Sequence, residues 1–356
     1  MKIVFDIDVI SSQKFGMTYA TLELMRALQG LNIEVTNFAA GRKHFLKAHC
    51  SEMQKYGFQT ISCPLPRKFF SLSNKLKLNI ENLFLKPYDF FIQIGLHENR
   101  HIAPDKYILF IHDTVALRYP DGEKPFPAYT SELLNRCRLI LTVSEFSKKE
   151  MVNFFKLDPE KIKVVPNGCD LSKFKPHTKA DQEKIKAKYR LPEKFFVAYG
   201  GSSLRKNVNF LLKTYSDWKV GNKPGLVLFG NKPQNLPDSV ISLGYIEDND
   251  VPRILSAALA LLFPSYYEGF GLPVLEAFAC GLPVICANTS SLPEVSAGNA
   301  LFFDPQNGSS LISQLSAFLS DPLWTKKLSE KGLELVKNKT WTNSGEKLLA
   351  CLKDLL

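Results

Sequence analysis

The sequence predicts an α/β fold in two doubly wound domains, and three observations carry that prediction. The chain has 356 residues, enough for two domains with separate cores. Short apolar runs alternate with amphipathic stretches along its length, the pattern of β-α units around a parallel sheet. The alternation also restarts after a lysine-rich interruption near the middle. We therefore expect an α/β architecture of two Rossmann-like domains facing a central cleft, with ligand at the carboxyl ends of the strands.

In the first series the expected strands are Ile3–Ile7, Ile33–Phe38, Phe90–Ile94, Tyr107–His112 and Leu139–Val143, each rich in Val, Ile or Phe. Between the first two, the stretch Thr18 to Leu28 sets Leu24, Met25 and Leu28 on one helical face with Leu22 at its edge, and Gly30 follows as a stop. From about 170 to 193 lysine dominates, which reads as a linker with a short surface helix. The second series is Phe195–Tyr199, Leu226–Phe229, Val240–Leu243, Leu259–Phe263, Pro283–Cys286 and Leu301–Phe303, closed by an amphipathic helix from Trp341 to Leu356. The expected domains are 1–172, a linker 173–193, a second domain 194–340, and a helix 341–356 that crosses back to the first.

Composition narrows the function. The net charge is +10, with 30 Lys+Arg against 20 Asp+Glu in residues 1–190 and 15 of each thereafter. A lysine-rich solvated face explains such an excess, as does an anionic partner. Seven scattered cysteines without C-x-x-C spacing favour a reducing compartment over a disulfide framework or a thiolate zinc site. The N-terminal apolar run is too short for a signal peptide, and none approaches the ~18–20 residues of a membrane span. The expected location is cytoplasmic, with a peripheral membrane association open. One stretch bears on that: Phe69, Leu72, Leu76, Ile80 and Leu83 fall at helical spacing with Arg67, Lys68, Lys75 and Lys77 around them. An interfacial helix and an ordinary core-facing one share this stripe.

The most informative segment runs from Pro264 to Pro283. A buried strand ends in a glycine-containing turn, Pro273 sits in the first turn of a helix, and Gly281 stops that helix. The turn presents the N–H groups of Phe270, Gly271 and Leu272 at a helix N-terminus, suited to an anion or to sugar hydroxyls. Two carboxylates flank it. Glu276 could simply complement the helix dipole, but Glu268, beside two aromatics and two glycines, has no capping role.

With seven residues between its glutamates, Glu268-Gly-Phe-Gly-Leu-Pro-Val-Leu-Glu276 resembles the donor-binding signature of family-4 retaining glycosyltransferases of the GT-B fold. Cys280-Gly-Leu-Pro, Ser290-Ser-Leu-Pro-Glu294, His112-Asp-Thr, Leu141-Thr-Val-Ser-Glu-Phe-Ser-Lys148, Val165-Pro-Asn-Gly168 and Gly200-Gly201 leading to Arg205-Lys-Asn207 extend the likeness over nearly the whole chain. The resemblance implies that Glu268, with the backbone of Phe270, Gly271 and Leu272, binds donor-sugar hydroxyls, and that Glu276 accepts from ribose hydroxyls. It implies that Arg205 and Lys206 neutralise the diphosphate and that His112 contacts the transferred sugar or helps position the attacking hydroxyl. Gly16, Gly200, Ser202 and Ile246 complete the implied donor site. Members often carry an arginine upstream of the lysine where this chain has Gly200-Gly201, which leaves Arg205 more phosphate charge to cover or the site weaker than usual. Gly16 is the one glycine left of a glycine-rich loop, and a requirement for positive φ would explain it equally well.

Retaining chemistry calls to mind a carboxylate nucleophile, yet the acidic residues of these motifs are assigned to hydroxyl binding. The resemblance implies front-face displacement instead. Asp6-Ile7-Asp8 superficially matches a D-x-D metal motif but has no accompanying ligands, so no metal and no cofactor are expected, only a nucleotide-diphosphate sugar as donor. The expected activity is hexosyl transfer, with mannose from GDP-mannose or a hexose from a related GDP- or UDP-sugar, to a glycan or lipid-linked acceptor in cell-envelope polysaccharide synthesis. The alternatives are a UDP-sugar enzyme acting on a small molecule and a non-catalytic basic binding module. A dehydrogenase is disfavoured because no G-x-G-x-x-G opens a helix, and no nucleic-acid signature is present.

Overall fold

The computed structural model describes residues 1–7, 16–65, 69, 80–96, 102–119, 126–128, 130–201, 203–233 and 236–356. It divides into two units. One comprises Met1–Leu117, Lys124–Asn167 and Trp341–Leu356, the other Arg118–Glu123 and Gly168–Thr340. Among the described residues each holds one parallel sheet flanked by helices.

The first sheet contains β1 (Lys2–Asp6), β2 (Glu34–Ala40), β3 (Thr60–Cys63), β4 (Phe90–Ile94), β5 (Tyr107–Phe110), β6 (Leu139–Thr142) and β7 (Ile162–Val164) in the order β3-β2-β1-β4-β5-β6-β7. Every pairing is parallel, for example Val4 opposite both Thr36 and Phe91. The central strands are buried on both faces, so they read as continuous apolar runs. The sequence reading missed β3 and β7, the two edge strands. Thr-Ile-Ser-Cys and Ile-Lys-Val are short and mixed because an edge strand is covered less completely.

The second sheet contains β8 (Phe195–Tyr199), β9 (Gly225–Phe229), β10 (Val240–Ser242), β11 (Leu261–Phe263), β12 (Val284–Ala287) and β13 (Leu301–Phe303), in the order β10-β9-β8-β11-β12-β13. All six were anticipated within two residues at either end. Leu259 is the largest displacement: it precedes β11, its N–H donating to the Phe195 carbonyl. The strand order reverses between β8 and β11, which makes the loops after these two strands the switch point of the sheet.

Two helices tie chain segments to sheets distant in sequence. The lysine-rich stretch carries a helix, Lys179–Tyr189, that clusters with the second unit: Ile185 is buried, and Lys188 and Tyr189 both bond the buried Asp250 carboxylate. The Trp341–Lys353 helix clusters with the first unit, where Trp341 meets Tyr19 edge-on at 6.3 Å. A Cβ on Gly345 would lie 3.3 Å from Ala27 Cβ, so a small residue there lets this helix approach the Gly16–Gly30 helix.

Of the lysine-flanked apolar stripe, Arg67, Lys68, Leu72, Lys75, Leu76 and Lys77 lie outside the described residues. Phe69 and Leu83 are exposed, while Ile80 packs on the core of the first unit. Among the described residues no helix is long and apolar enough to cross a membrane.

Candidate functional site at the switch point of the second sheet

The loop leaving β8 is shaped by backbone crowding. Gly200 donates its N–H to the Phe229 carbonyl at 2.8 Å, and a Cβ on it would lie 2.4 Å from the Asn231 carbonyl oxygen. Only glycine admits that approach. The chain then makes a 3₁₀ turn, Leu204–Lys206, and Asn207 turns left-handed (φ +54°) into the Val208–Asp217 helix. Asn207 is buried, and its amide donates to the Pro305 carbonyl at 3.0 Å.

The loop leaving β11 is pinned to the first by the Tyr266 N–H, which donates to the Arg205 carbonyl at 2.7 Å. The Glu268 N–H donates to Ser290 Oγ at 3.1 Å, and the Ser291 hydroxyl sits 2.9 Å from the Glu268 carbonyl and 2.7 Å from that of Phe270. Gly271 (φ +101°) then opens the Leu272–Ala279 helix without a side-chain cap. At the far end Gly281 (φ +73°) donates to the Phe278 carbonyl and Leu282 to that of Ala277, a Schellman stop. The N–H groups of Phe270, Gly271 and Leu272 have no bonded partner among the described residues.

These loops bring Glu268, Lys206 and Arg205 together. Lys206 Nζ lies 2.6 Å from Glu268 Oε1, and an Arg205 guanidinium nitrogen 3.3 Å from Oε2. Lys206 also stands over the Phe263 ring at 5.3 Å. Burial pushes the Glu268 carboxyl upward, but the charges of Lys206 and Arg205 and the Lys206 hydrogen bond outweigh it and hold the group below its usual range. Glu268 is therefore ionised at neutral pH although nearly buried.

Glu276 is the fifth residue of its helix, beyond the first turn. The dipole-complementing alternative therefore fails, since that effect is confined to the terminal turn. Its Oε2 accepts from the Tyr199 hydroxyl at 2.9 Å. Here burial dominates and raises the carboxyl above its usual value, against the opposing pull of Tyr199 and Lys173. Sequence reasoning missed Tyr199, Ser290 and Ser291. A tyrosine closing an otherwise apolar strand was the available signal for the first; the two serines stand in the Ser290-Ser-Leu-Pro-Glu294 motif, which the sequence reading quoted without giving them a role.

Ile246, half-buried, follows β10, and Ser202 lies outside the described residues. The remaining sequence-predicted residues belong to the first unit. His112 follows β5 by two residues, is 9 % exposed, and stacks on Phe110 with ring centres 4.8 Å apart and planes 6° apart. Its Nε2 is buried without a hydrogen-bond partner among the described residues. Burial lowers its pKa to about 4, so the ring is neutral at pH 7. Gly16 begins its helix, and a Cβ there would meet nothing within 4 Å among the described residues. Asp6 is 1 % exposed at the end of β1, and Asp8 lies outside the described residues. Among the described residues, no group of three or more His, Cys, Asp or Glu is arranged to hold a metal ion.

Residues 16–173 match the family described as Glycosyltransferase Family 4, and residues 181–335 match Glycosyl transferases group 1. The chain belongs to the family-4 glycosyltransferases. Among curated relatives, O-antigen chain mannosyltransferase B of Escherichia coli is 32 % identical over 60 % of this chain and 59 % of its own length. O-antigen chain mannosyltransferase RfbU of Salmonella typhimurium is 29 % identical over 56 % of this chain and 57 % of its own. This glycosyltransferase chain thus matches little more than half the length of either relative. Among solved structures, Anabaena HepE in complex with UDP and glucose superposes with a TM-score of 0.74 at 16 % identity, covering 99 % of this chain and 100 % of that one. The two Rossmann-like sheets agree with the fold of that neighbour.

Proposed function

We propose that this family member is a retaining hexosyltransferase that moves mannose from GDP-mannose to a hydroxyl of a glycan or lipid-linked acceptor in cell-envelope polysaccharide synthesis. The observation that carries this reading is the convergence of Lys206, Arg205 and an ionised Glu268 at one switch point, beside three unpartnered N–H groups at a helix N-terminus. That is the chemistry a diphosphate joined to a polyol requires. The choice of mannose rests on the two O-antigen mannosyltransferase relatives.

In this reading Lys206, Arg205 and the N–H groups of Phe270, Gly271 and Leu272 stabilise the charge that develops on the departing diphosphate. Glu268 accepts from sugar hydroxyls and Glu276 from the ribose, roles suited to acceptor-only carboxylates. Gly200, Ser202 and Ile246 are assigned to the donor, Gly16 to its phosphates, and the neutral His112 to contacting the transferred sugar or positioning the attacking hydroxyl. The bond from C1 to the β-phosphate oxygen breaks while the acceptor oxygen bonds C1 on the same face, and the acceptor proton passes to the departing phosphate. No step requires a protein nucleophile. The positive excess of residues 1–190 suits an anionic acceptor or a membrane surface at which the protein would sit peripherally.

Thermal shifts with GDP, UDP, ADP and TDP test the donor. A matching nucleotide at ~100 times its dissociation constant stabilises by about 2.7 kcal/mol. The expected shift is with GDP; a shift with UDP alone replaces mannose from GDP-mannose by a UDP-sugar, and no shift with any of the four weakens the enzyme reading.

A further inference from the structure

The cations assigned to the donor diphosphate are already in use. Glu268 Oε1 lies 2.6 Å from Lys206 Nζ and Oε2 3.3 Å from Arg205, with side-chain exposures of 10 %, 24 % and 23 % respectively. The carboxylate is thus an internal anion seated on the same two charges that a phosphate would take. Its backbone is held independently, by Ser290 at its N–H and Ser291 at its carbonyl, so the side chain can leave the cations without the loop unfolding.

From this geometry we infer that Glu268 sets the preference of the site for a sugar nucleotide over a bare nucleoside diphosphate, by exchanging its cations for sugar hydroxyls. The inference rests on the donor-site reading given above. Two anions cannot share Lys206 and Arg205 without repulsion, so any diphosphate must weaken the Glu268 ion pairs. A carboxylate nearly out of water and deprived of its partners is costly. A sugar nucleotide relieves that cost because its hydroxyls donate to the released carboxylate. A nucleoside diphosphate brings phosphate oxygens only and leaves Glu268 unsatisfied, so it binds more weakly and leaves more easily after transfer. The discrimination therefore comes from an unpaired buried group in the wrong complex, the strongest form of polar selectivity.

Inorganic pyrophosphate has neither base nor sugar, so its binding tests the exchange apart from the donor reading. By calorimetry, Glu268→Gln is expected to bind pyrophosphate about tenfold more tightly than the wild type, a coupling of ordinary size between two ligands of one site. Glu268→Ala, which removes the charge without adding an amide, is expected to show the same gain, and Glu268→Asp, which keeps the charge, little or none. In a Lys206→Ala, Arg205→Ala background the gain is expected to vanish. With GDP and GDP-mannose as ligands, Glu268→Gln should narrow the affinity ratio between them. Pyrophosphate affinity in Glu268→Gln and Glu268→Ala equal to or weaker than wild type overturns the proposal, since Glu268 would then be neutral toward phosphate or needed to arrange the cations. Failure of the wild type to bind any sugar nucleotide would instead count against the donor reading and leave the pyrophosphate result to be judged by itself.

Discussion

The two units carry sheets of the same winding and use the ends of their strands in opposite ways. In the second, the loops after the switch-point strands assemble three charged groups, Arg205, Lys206 and Glu268, whose ion pairs offset their burial. In the first, β5 leads to an imidazole stacked on a phenyl ring and held neutral by burial, its buried Nε2 without a partner among the described residues. The positive excess of the chain belongs to its first 190 residues, yet the organised charge is in the neutral remainder. Net charge and local charge chemistry are therefore separate properties: a diphosphate needs two well-placed cations, and a surplus of surface lysines does not supply them.

The contrast is broken most forcefully at Lys206. Lys206→Ala removes the donor that touches Glu268 at 2.6 Å, and turnover is expected to fall by roughly 10²–10³-fold, the usual loss for one donor aimed at developing charge. Near-normal turnover in a steady-state assay would remove the second unit's claim to the chemistry.

The first unit is probed through pH. The His112 pKa is about 4 in the folded state against about 6.5 in an unfolded chain. Its folded pKa is depressed, so the unfolded state takes up the proton first and stability declines as pH falls from about 6.5 to about 4. The full decline is of order 3 kcal/mol. Replacing the ring by His112→Phe, which preserves the stack on Phe110, should flatten that part of the stability profile measured by denaturant midpoints. An unchanged acid slope would mean that His112 takes up its proton as readily in the native protein as in the unfolded chain, and the contrast with the charged second unit would disappear.

The smallest effect lies at Tyr199. Tyr199→Phe deletes the hydroxyl that donates to Glu276, a charge-assisted bond worth about 1.5–3 kcal/mol when the acceptor stays buried. Expected consequences are a further rise in the Glu276 pKa and a loss of about tenfold in nucleotide affinity at neutral pH by titration. A loss confined to low pH would show that the hydroxyl only keeps Glu276 ionised; a uniform loss would show that it also orients it.

Much of the fold was legible because buried parallel strands leave contiguous apolar runs: Phe90–Ile94, Phe195–Tyr199 and Leu301–Phe303 were delimited to the residue. The edge strands β3 and β7 escaped notice since half-covered strands need no such run. The site was legible in its residue types and less so in its pairings. Glu268, Arg205 and Lys206 were each singled out, but Glu268 and Lys206 lie 62 positions apart, and no local pattern announces that they are bonded. Tyr199 and Glu276 are likewise separated by 77 positions.

By itself the sequence determined the α/β class, the two series of strands, the turns that require Gly271 and Gly281, and the chemical character of the loops. These follow from periodicity and from backbone conformations that few residues tolerate, both local properties. Which groups neutralise one another was decided only by the tertiary structure. The crossing of strand order between β8 and β11 brings two loops together that the chain keeps far apart, and burial then makes their charges interact strongly enough to set an ionisation state. The same dependence explains the two carboxylates, alike in sequence and seven residues of spacer apart: one is pulled below its usual range by cations from a distant loop, the other raised by burial.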